Sequence, residues 1–405
     1  MRAANEGLMP YREVRAAEDA LSAGGSPVGV SQVFLPVWAV EIRATVTTSE
    51  PYDLIDRYLE LGIDRAGLTT VTGLADFFTL DPALVDRALR FLAAIGHVVR
   101  SGDDVQLTKL GRQSVSDGRR LRTTHEDRRI LYFDAYTSSP LTRAYYDNRD
   151  VTLLSGGAVA DALDTPQNRW FLPLMIERGF RREVLTSLGG KADRERYNLP
   201  EHLENPESVR EALVYLPLYV VRCAEEIPTV GLRHLAYSQA AQVWDEELSQ
   251  LVDALPGIAG TLGVDFREVE VAAFGTWARE IDPDATGPVQ LPDGSWRLTF
   301  TPEAFATGAL AYSKAGSFQF RGRHCVRIWC DDAETRRRAL VERMNTRLAA
   351  RTNLDREVVE SLAGRIAAQL SLSGATVEAL RGLAERHGYS GLATQLAAID
   401  ADRHG

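Results

Sequence analysis

Lysine is nearly absent from this sequence. Only Lys109, Lys191 and Lys314 stand among 46 basic residues in a chain of 405, so almost every positive charge is an arginine. A GC-rich coding bias accounts for this more simply than selection for guanidinium chemistry. Positive charge is also in deficit: 56 acidic residues give a formal charge of −10. That excludes a chain-wide polycation for DNA or membranes and confines any nucleic-acid surface to a local patch. Cysteine is scarce. Cys223, Cys325 and Cys330 are an odd number in a long chain, which argues against a disulfide framework and for a reducing compartment. No apolar run reaches about 18 residues, and MRAANEGLMPYREV carries no charged and then apolar leader. A cytoplasmic location without a membrane partner is the expectation.

Catalytic signatures are missing as well. There is no Gly-x-Ser-x-Gly, no Glu-x-Lys of restriction-type nucleases and no His-x-Lys of phospholipase D type. His97-Val98-Val99-Arg100 has the His-x-x-Arg spacing of tyrosine recombinases without the rest of that set. Leu188-Gly189-Gly190-Lys191 lacks the first glycine of a phosphate loop and has Ala192 where a metal-binding hydroxyl is needed, so it reads as a helix end. Cys325 and Cys330, beside His324, are an odd number of positions apart and so point to opposite faces of a strand, as core cysteines do. Glu268 and Glu270, with Asp265 nearby, share one face of a stretch read as a strand, and a solvated face explains them best. No metal, cofactor or catalytic residue is assigned.

What is present is enough apolar residue, 45% of the chain, for two or three cores. Helical spacing over 9–23 ends at Gly24-Gly25-Ser26-Pro27, and VFLPVWAVEIRATV (33–46) reads as a strand, or a strand pair interrupted at Pro36. From Ser49 the signals sharpen. Ser49 is read as an N-cap, with Tyr52, Ile55, Leu59 and Ile63 as the apolar stripe of a first helix. Thr72 is read as the cap of a short second helix with Leu74, Ala75, Phe78 and Leu80 inside. Asp81-Pro82 opens a third, combining an acceptor side chain with a proline at the first helical position. That helix runs to about Ile95 and stops at Gly96. HVVR and DVQLT then form two short strands around Ser101-Gly102-Asp103-Asp104.

This stretch resembles the winged helix-turn-helix superfamily over residues 49–122. The residues that carry the likeness are Leu74-Ala75 through Leu80, the helix end Ile95-Gly96-His97-Val98, and the closing turn Leu107-Thr108-Lys109-Leu110-Gly111. The resemblance implies a winged-helix domain that holds DNA or RNA, or one that serves dimerisation or protein docking. The third helix offers few base-reading side chains. Leu84, Val85, Ala88, Leu89, Leu92 and Ile95 are expected inside, leaving Ala83, Asp86, Arg87, Arg90 and Ala94 outside. Asp103 and Asp104 at the wing tip oppose a phosphate backbone. The expected phosphate contacts are therefore Arg87, Arg90, Arg100, Lys109, Arg112, Arg119, Arg120 and Arg122. A solvated helix or linker is the plainer reading of GRRLRTTHEDRR (118–129).

Further on, RILYFDAYTSSPLTRAYY (129–146) reads as a strand, a turn and an aromatic segment, 165–207 as helical and charged, and LVYLPLYVVR (213–222) and LRHLAY (232–237) as strands. A helix is expected over 240–255. VDFREVEVAAFGTW (264–277), the hairpin at Pro292-Asp293-Gly294-Ser295, and FQFRGRHCVRIWC (318–330) read as strands. A helical tail follows, with Val358, Leu362, Ile366 and Leu370 as one stripe. If 318–330 is continuous, Arg321, Arg323 and Arg327 share a face and can bind phosphate or another ligand, with Arg336, Arg337 and Arg338 next in line. The expected architecture is an α+β multidomain chain: an N-terminal helix and strand extension (1–48), a winged-helix domain (49–125), a mixed α+β domain (126–262), a strand-rich region (263–345) and a helical C-terminal region (346–405). The functional expectation is a non-enzymatic bacterial nucleic-acid-binding regulator, or an accessory subunit of a genome-maintenance or phage-defence assembly. Its partners are then the DNA or RNA phosphate backbone and proteins, or a second copy, met through the winged helix or the C-terminal helices. The alternative is an enzyme with its site in 126–345 that dimerises through the winged helix.

Overall fold

A computed structural model describes residues 7–147, 149–176, 178–200, 202–263, 268–349, 355–373 and 375–401. In chain order the chain forms α1 (Glu13–Ser22), β1 (Pro27–Glu50), α2 (Leu54–Ala66), α3 (Val71–Phe78), α4 (Pro82–Ala94), β2 (Val98–Ser101), β3 (Asp104–Leu107), α5 (Lys109–Asp117) and β4 (Arg120–Asp134). There follow β5 (Leu154–Ser155), α6 (Gly156–Leu163), β6 (Leu172–Pro173), α7 (Val184–Leu188), β7 (His202–Ile227), β8 (Leu232–Tyr237), α8 (Glu246–Ala254), α9 (Pro256–Leu262) and α10 (Glu268–Ile281). The last part holds β9 (Thr286–Gln290), β10 (Trp296–Thr299), α11 (Pro302–Ala306), β11 (Phe318–Arg321), β12 (His324–Trp329), α12 (Ala333–Leu348), α13 (Arg356–Gln369), α14 (Val377–Arg386) and α15 (Ser390–Ala401). Among the described residues no helix is long and apolar enough to cross a membrane.

The chain divides into two compact units, each discontinuous in sequence. One holds Met1–Leu35, Thr152–Leu174 and Tyr215–Gly405, and the other Pro36–Val151 and Met175–Val214. Residues 126–262 are thus shared between the units, while the strand-rich and helical C-terminal regions, 263–345 and 346–405, share one core.

In the second unit β1 runs antiparallel to β4, from Val37 opposite Asp134 to Glu50 opposite Arg120. The strand is not interrupted at Pro36. Its first part pairs with β6 at Val33 and Phe34, and its next begins with β4 at Val37, so proline falls at the changeover, where no ladder donor is lost. The Pro36 carbonyl still accepts from Ala135 N at 3.2 Å. Because β4 begins at Arg120, residues 120–129 are strand and not a helix face or linker. The described residues of 165–207, expected to be helical, are mostly irregular, holding the short β6, the single turn of α7 and one 3-10 turn at Arg194–Tyr197 before β7.

Local chemistry explains α2 to α5. Asp53 stands at the N-cap of α2, since Ser49 and Glu50 close β1. Thr70, not Thr72, caps α3 by accepting from Gly73 N at 3.0 Å. Asp81 accepts from Ala83 N at 2.7 Å with Pro82 behind it, as its sequence dictates. Thr108 caps α5. Strands β2 and β3 pair antiparallel across a turn with Gly102 at φ +64°, and Thr70 forms a bridge to Asp104. Leu59, Leu74, Val85, Leu89, Leu92 and Val105 fill the core under these elements, while Leu84, Ala88 and Ile95 are half-buried.

In the first unit the sheet runs β5-β7-β1-β12-β10-β9, with β10 parallel to β12. One core gathers Phe274, Leu298, Phe300, Ile328, Leu340 and Leu362, and another gathers Phe34, Phe171, Tyr237 and Cys325. Cys325 and Cys330 fall in different cores, as their odd spacing requires. The expected strand over 264–277 is instead α10 from Glu268 on, because Phe274, Trp277, Ala278 and Ile281 recur at helical spacing against the core. Residues 264–267, with Asp265, lie outside the described residues. FQFRGRHCVRIWC is a hairpin, not one strand: Gly322 at φ +57° turns β11 back on β12, with Arg321 opposite His324. In α13 the inward stripe starts at Val359, which is fully buried, while Val358 is 49% exposed.

Candidate nucleic-acid interface

The expected phosphate-contacting cations of the second unit differ in what they already hold. Arg87, Lys109 and Arg122 are exposed and have no ion pair or hydrogen bond among the described residues. Arg112 donates to the Leu107 carbonyl at 2.9 Å and Arg119 to the Ser49 carbonyl at 3.4 Å, which leaves both uncompensated in charge. Arg90 and Arg100 both bind Asp86, at 2.8 and 2.7 Å. Those bonds, with Arg100 the stronger cause, hold the Asp86 carboxyl below its ordinary value.

Arg120 is committed to structure. Its guanidinium meets Glu50 at 3.0 Å, Asp53 at 2.8 Å and Asp56 at 3.2 Å, and lies 5.3 Å from the centre of the Phe91 ring. Three carboxylates leave it little attraction for a phosphate. At the β2–β3 turn, Asp103 accepts from Thr72 Oγ1 at 3.4 Å, and its carbonyl accepts from Val71 N. Asp104 stays exposed.

Arg119 also lines a cleft of about 810 Å³ with Ser49, Arg194 and Arg196, and with the carboxylates Asp193 and Glu195. Arg194 and Arg196 were not singled out in the sequence, where KADRERY alternates in sign and reads as a self-neutralising surface. Arg194 donates to the Lys191 carbonyl at 2.8 Å, and Lys191 sits 4.2 Å from the centre of the Tyr197 ring. Only the fold brings this segment to Arg119, since no local period links them.

In the first unit the proposed trio separates. Arg321 and Arg323 flank the Gly322 turn, with Arg323 donating to the Thr261 carbonyl at 3.2 Å. Arg327 instead stands opposite Arg297 in the β10–β12 register, 4.6 Å from the centre of the Trp329 ring, which Arg336 approaches to 4.8 Å. Arg327 and Arg336 donate to the Gln369 and Leu370 carbonyls, satisfying the C-terminal end of α13. Burial and then the charge on Arg297 pull Arg327 down to about 10. Among the described residues no group of three or more His, Cys, Asp or Glu side chains is placed to hold a metal ion. No family model matches the chain, and comparison with curated proteins and with solved structures gives no match.

Proposed function

We propose that this chain is a winged-helix nucleic-acid-binding protein that grips phosphates without reading bases, acting as a bacterial regulator or as an accessory subunit of a genome-maintenance or phage-defence assembly. One observation carries the reading. Arg87 on α4, Lys109 at the start of α5 and Arg122 on β4 are uncompensated cations in a chain whose net charge is −10. Arg112 and Arg119 add to them, and the cleft that Arg119 lines brings in Arg194 and Arg196 from beyond the segment that resembles the superfamily, alongside Asp193 and Glu195. The outer face of α4, with Asp86 bound to Arg90 and Arg100, offers little for base recognition.

The test is the salt dependence of binding to a short random-sequence duplex, followed by fluorescence anisotropy. Changing Arg87, Lys109 and Arg122 together to glutamine is expected to lower the slope of log affinity against log salt by about 0.9 per lost contact. Arg90→Gln and Arg100→Gln are expected to change it little. Absence of binding at low salt, or an unchanged slope in the triple variant, overturns the proposal.

A further inference from the structure

Helices α12 and α14 of the first unit, with the loop at Ser371–Ser373, enclose a cleft of about 730 Å³. That is within the range, roughly 300–1,000 Å³, of pockets that hold small ligands. Leu340, Leu372 and Leu383 supply apolar lining, and three arginines, Arg336, Arg337 and Arg386, line the same cleft.

Two of these converge on a single carboxylate. Glu334 Oε2 is 3.0 Å from Arg337, and Glu334 Oε1 is 3.8 Å from Arg386. Their guanidinium groups, from two different helices, are thus already arranged around one anionic group. Arg336 is held separately. It bonds the Leu370 carbonyl at 2.8 Å and stacks 4.8 Å from the centre of Trp329, and its buried Nε–H has no acceptor. It also donates to the Ser371 and Asp331 carbonyls at 3.3 and 3.4 Å, so Arg336 lends the cleft a fixed positive charge, and the forks left for an anion are those of Arg337 and Arg386. The carboxylate in the lining, Glu378, is bound to Arg356, so it does little to cancel this charge.

We propose that this cleft binds a small phosphorylated molecule of about mononucleotide size, its phosphate drawing Arg337 and Arg386 away from Glu334 and its body lying over Leu372 and Leu383. The chemistry fits a phosphate because guanidinium forks bind its oxygens in pairs. It fits a flat or aliphatic body because Leu372 and Leu383 line the cleft beside the arginines. This site is independent of the phosphate-gripping surface of the other unit.

Isothermal titration of the full chain with AMP, adenosine and inorganic phosphate tests it. AMP is expected to bind more tightly than either of its parts. Arg337→Gln with Arg386→Gln is expected to weaken AMP by about tenfold or more, whereas Glu334→Gln, which removes the competing carboxylate, strengthens it severalfold. The Arg87, Lys109 and Arg122 triple variant leaves AMP binding unchanged, which separates this site from the nucleic-acid surface. All these positions are exposed or half-exposed, so the variants are expected to fold, and circular dichroism checks that they do. The proposal is overturned by no AMP binding up to about 10 mM, by adenosine binding as well as AMP, or by affinity that the double variant leaves unaltered.

Discussion

His97 is completely buried, with Nδ1 2.6 Å from Glu60 Oε1 and Nε2 against the Leu121 carbonyl. Two acceptors facing two ring nitrogens favour two protons, an imidazolium paired with a buried carboxylate. Glu60 also accepts from the Tyr52 hydroxyl at 2.5 Å, and the Ser114 hydroxyl accepts from Leu121 N at 3.1 Å. Together these bonds tie α2 and α5 to the first residues of β4. Burial works against the charged ring, but the Glu60 bond and the Leu121 carbonyl outweigh it and raise the His97 value above its ordinary one. A raised folded value means that the stabilisation is complete below the unfolded value, near 6.5, and is lost as pH rises through the folded one. Denaturant midpoints are therefore expected to fall as pH climbs above about 6.5, and His97→Gln is expected to remove that slope. A midpoint that stays level in the parent protein counts against the imidazolium. Spacing alone offered His97-x-x-Arg100 as a catalytic fragment, and nothing local to it announces a carboxylate 37 positions away.

At the level of the element, α1 is fastened by one acid. Glu18 lies 2.9 Å from the buried Arg343 and 3.0 Å from Arg347, both on α12, while Gln369 of α13 donates to the Glu18 carbonyl at 2.8 Å and to Ser22 Oγ at 2.7 Å. Removing one member of a buried pair strands the other, so Glu18→Gln is expected to cost about 3–5 kcal/mol in denaturant unfolding. The exposed Arg43–Glu207 pair supplies the contrast: Arg43→Gln is expected to leave the denaturant midpoint almost unchanged. Equal costs would show that the buried contact does not anchor α1. Elements were legible in the sequence where their signal is local. Asp81-Pro82 fixes the start of α4 through its own side chain and ring, and Gly102 fixes the β2–β3 turn. Legibility failed where the partner is remote. The charged run 120–129 becomes strand because β1, some 70 positions earlier at Ser49 and Leu121, supplies its ladder. The alternation of VEVA gave way to the helical spacing of Phe274, Trp277, Ala278 and Ile281, which only the core against them reveals. The arginines around Trp329 were misgrouped for the same reason, since Gly322 folds Arg321 away and β10 brings Arg297 in.

On the scale of the whole molecule, sequence order and compactness part company. The core under α2 to α5 is complete within residues 49–125, with the His97 contacts to Glu60 and Leu121 included. A fragment of those residues is expected to unfold cooperatively, whereas 126–262, whose residues are divided between two units, is expected to show no cooperative transition. A sharp melt of the second fragment would argue against that division. The charge of the molecule is partitioned just as unevenly, and Asp86 shows how finely. One carboxylate holds both Arg90 and Arg100, so two cations are silenced by one residue. An aspartate codon becomes an asparagine codon through one base change. Asp86→Asn would unmask both arginines at once and steepen the salt dependence of nucleic-acid binding by up to about two contacts. The strength of the proposed grip is thus a heritable setting that a lineage can move in a single mutational step, without rebuilding the fold that presents it.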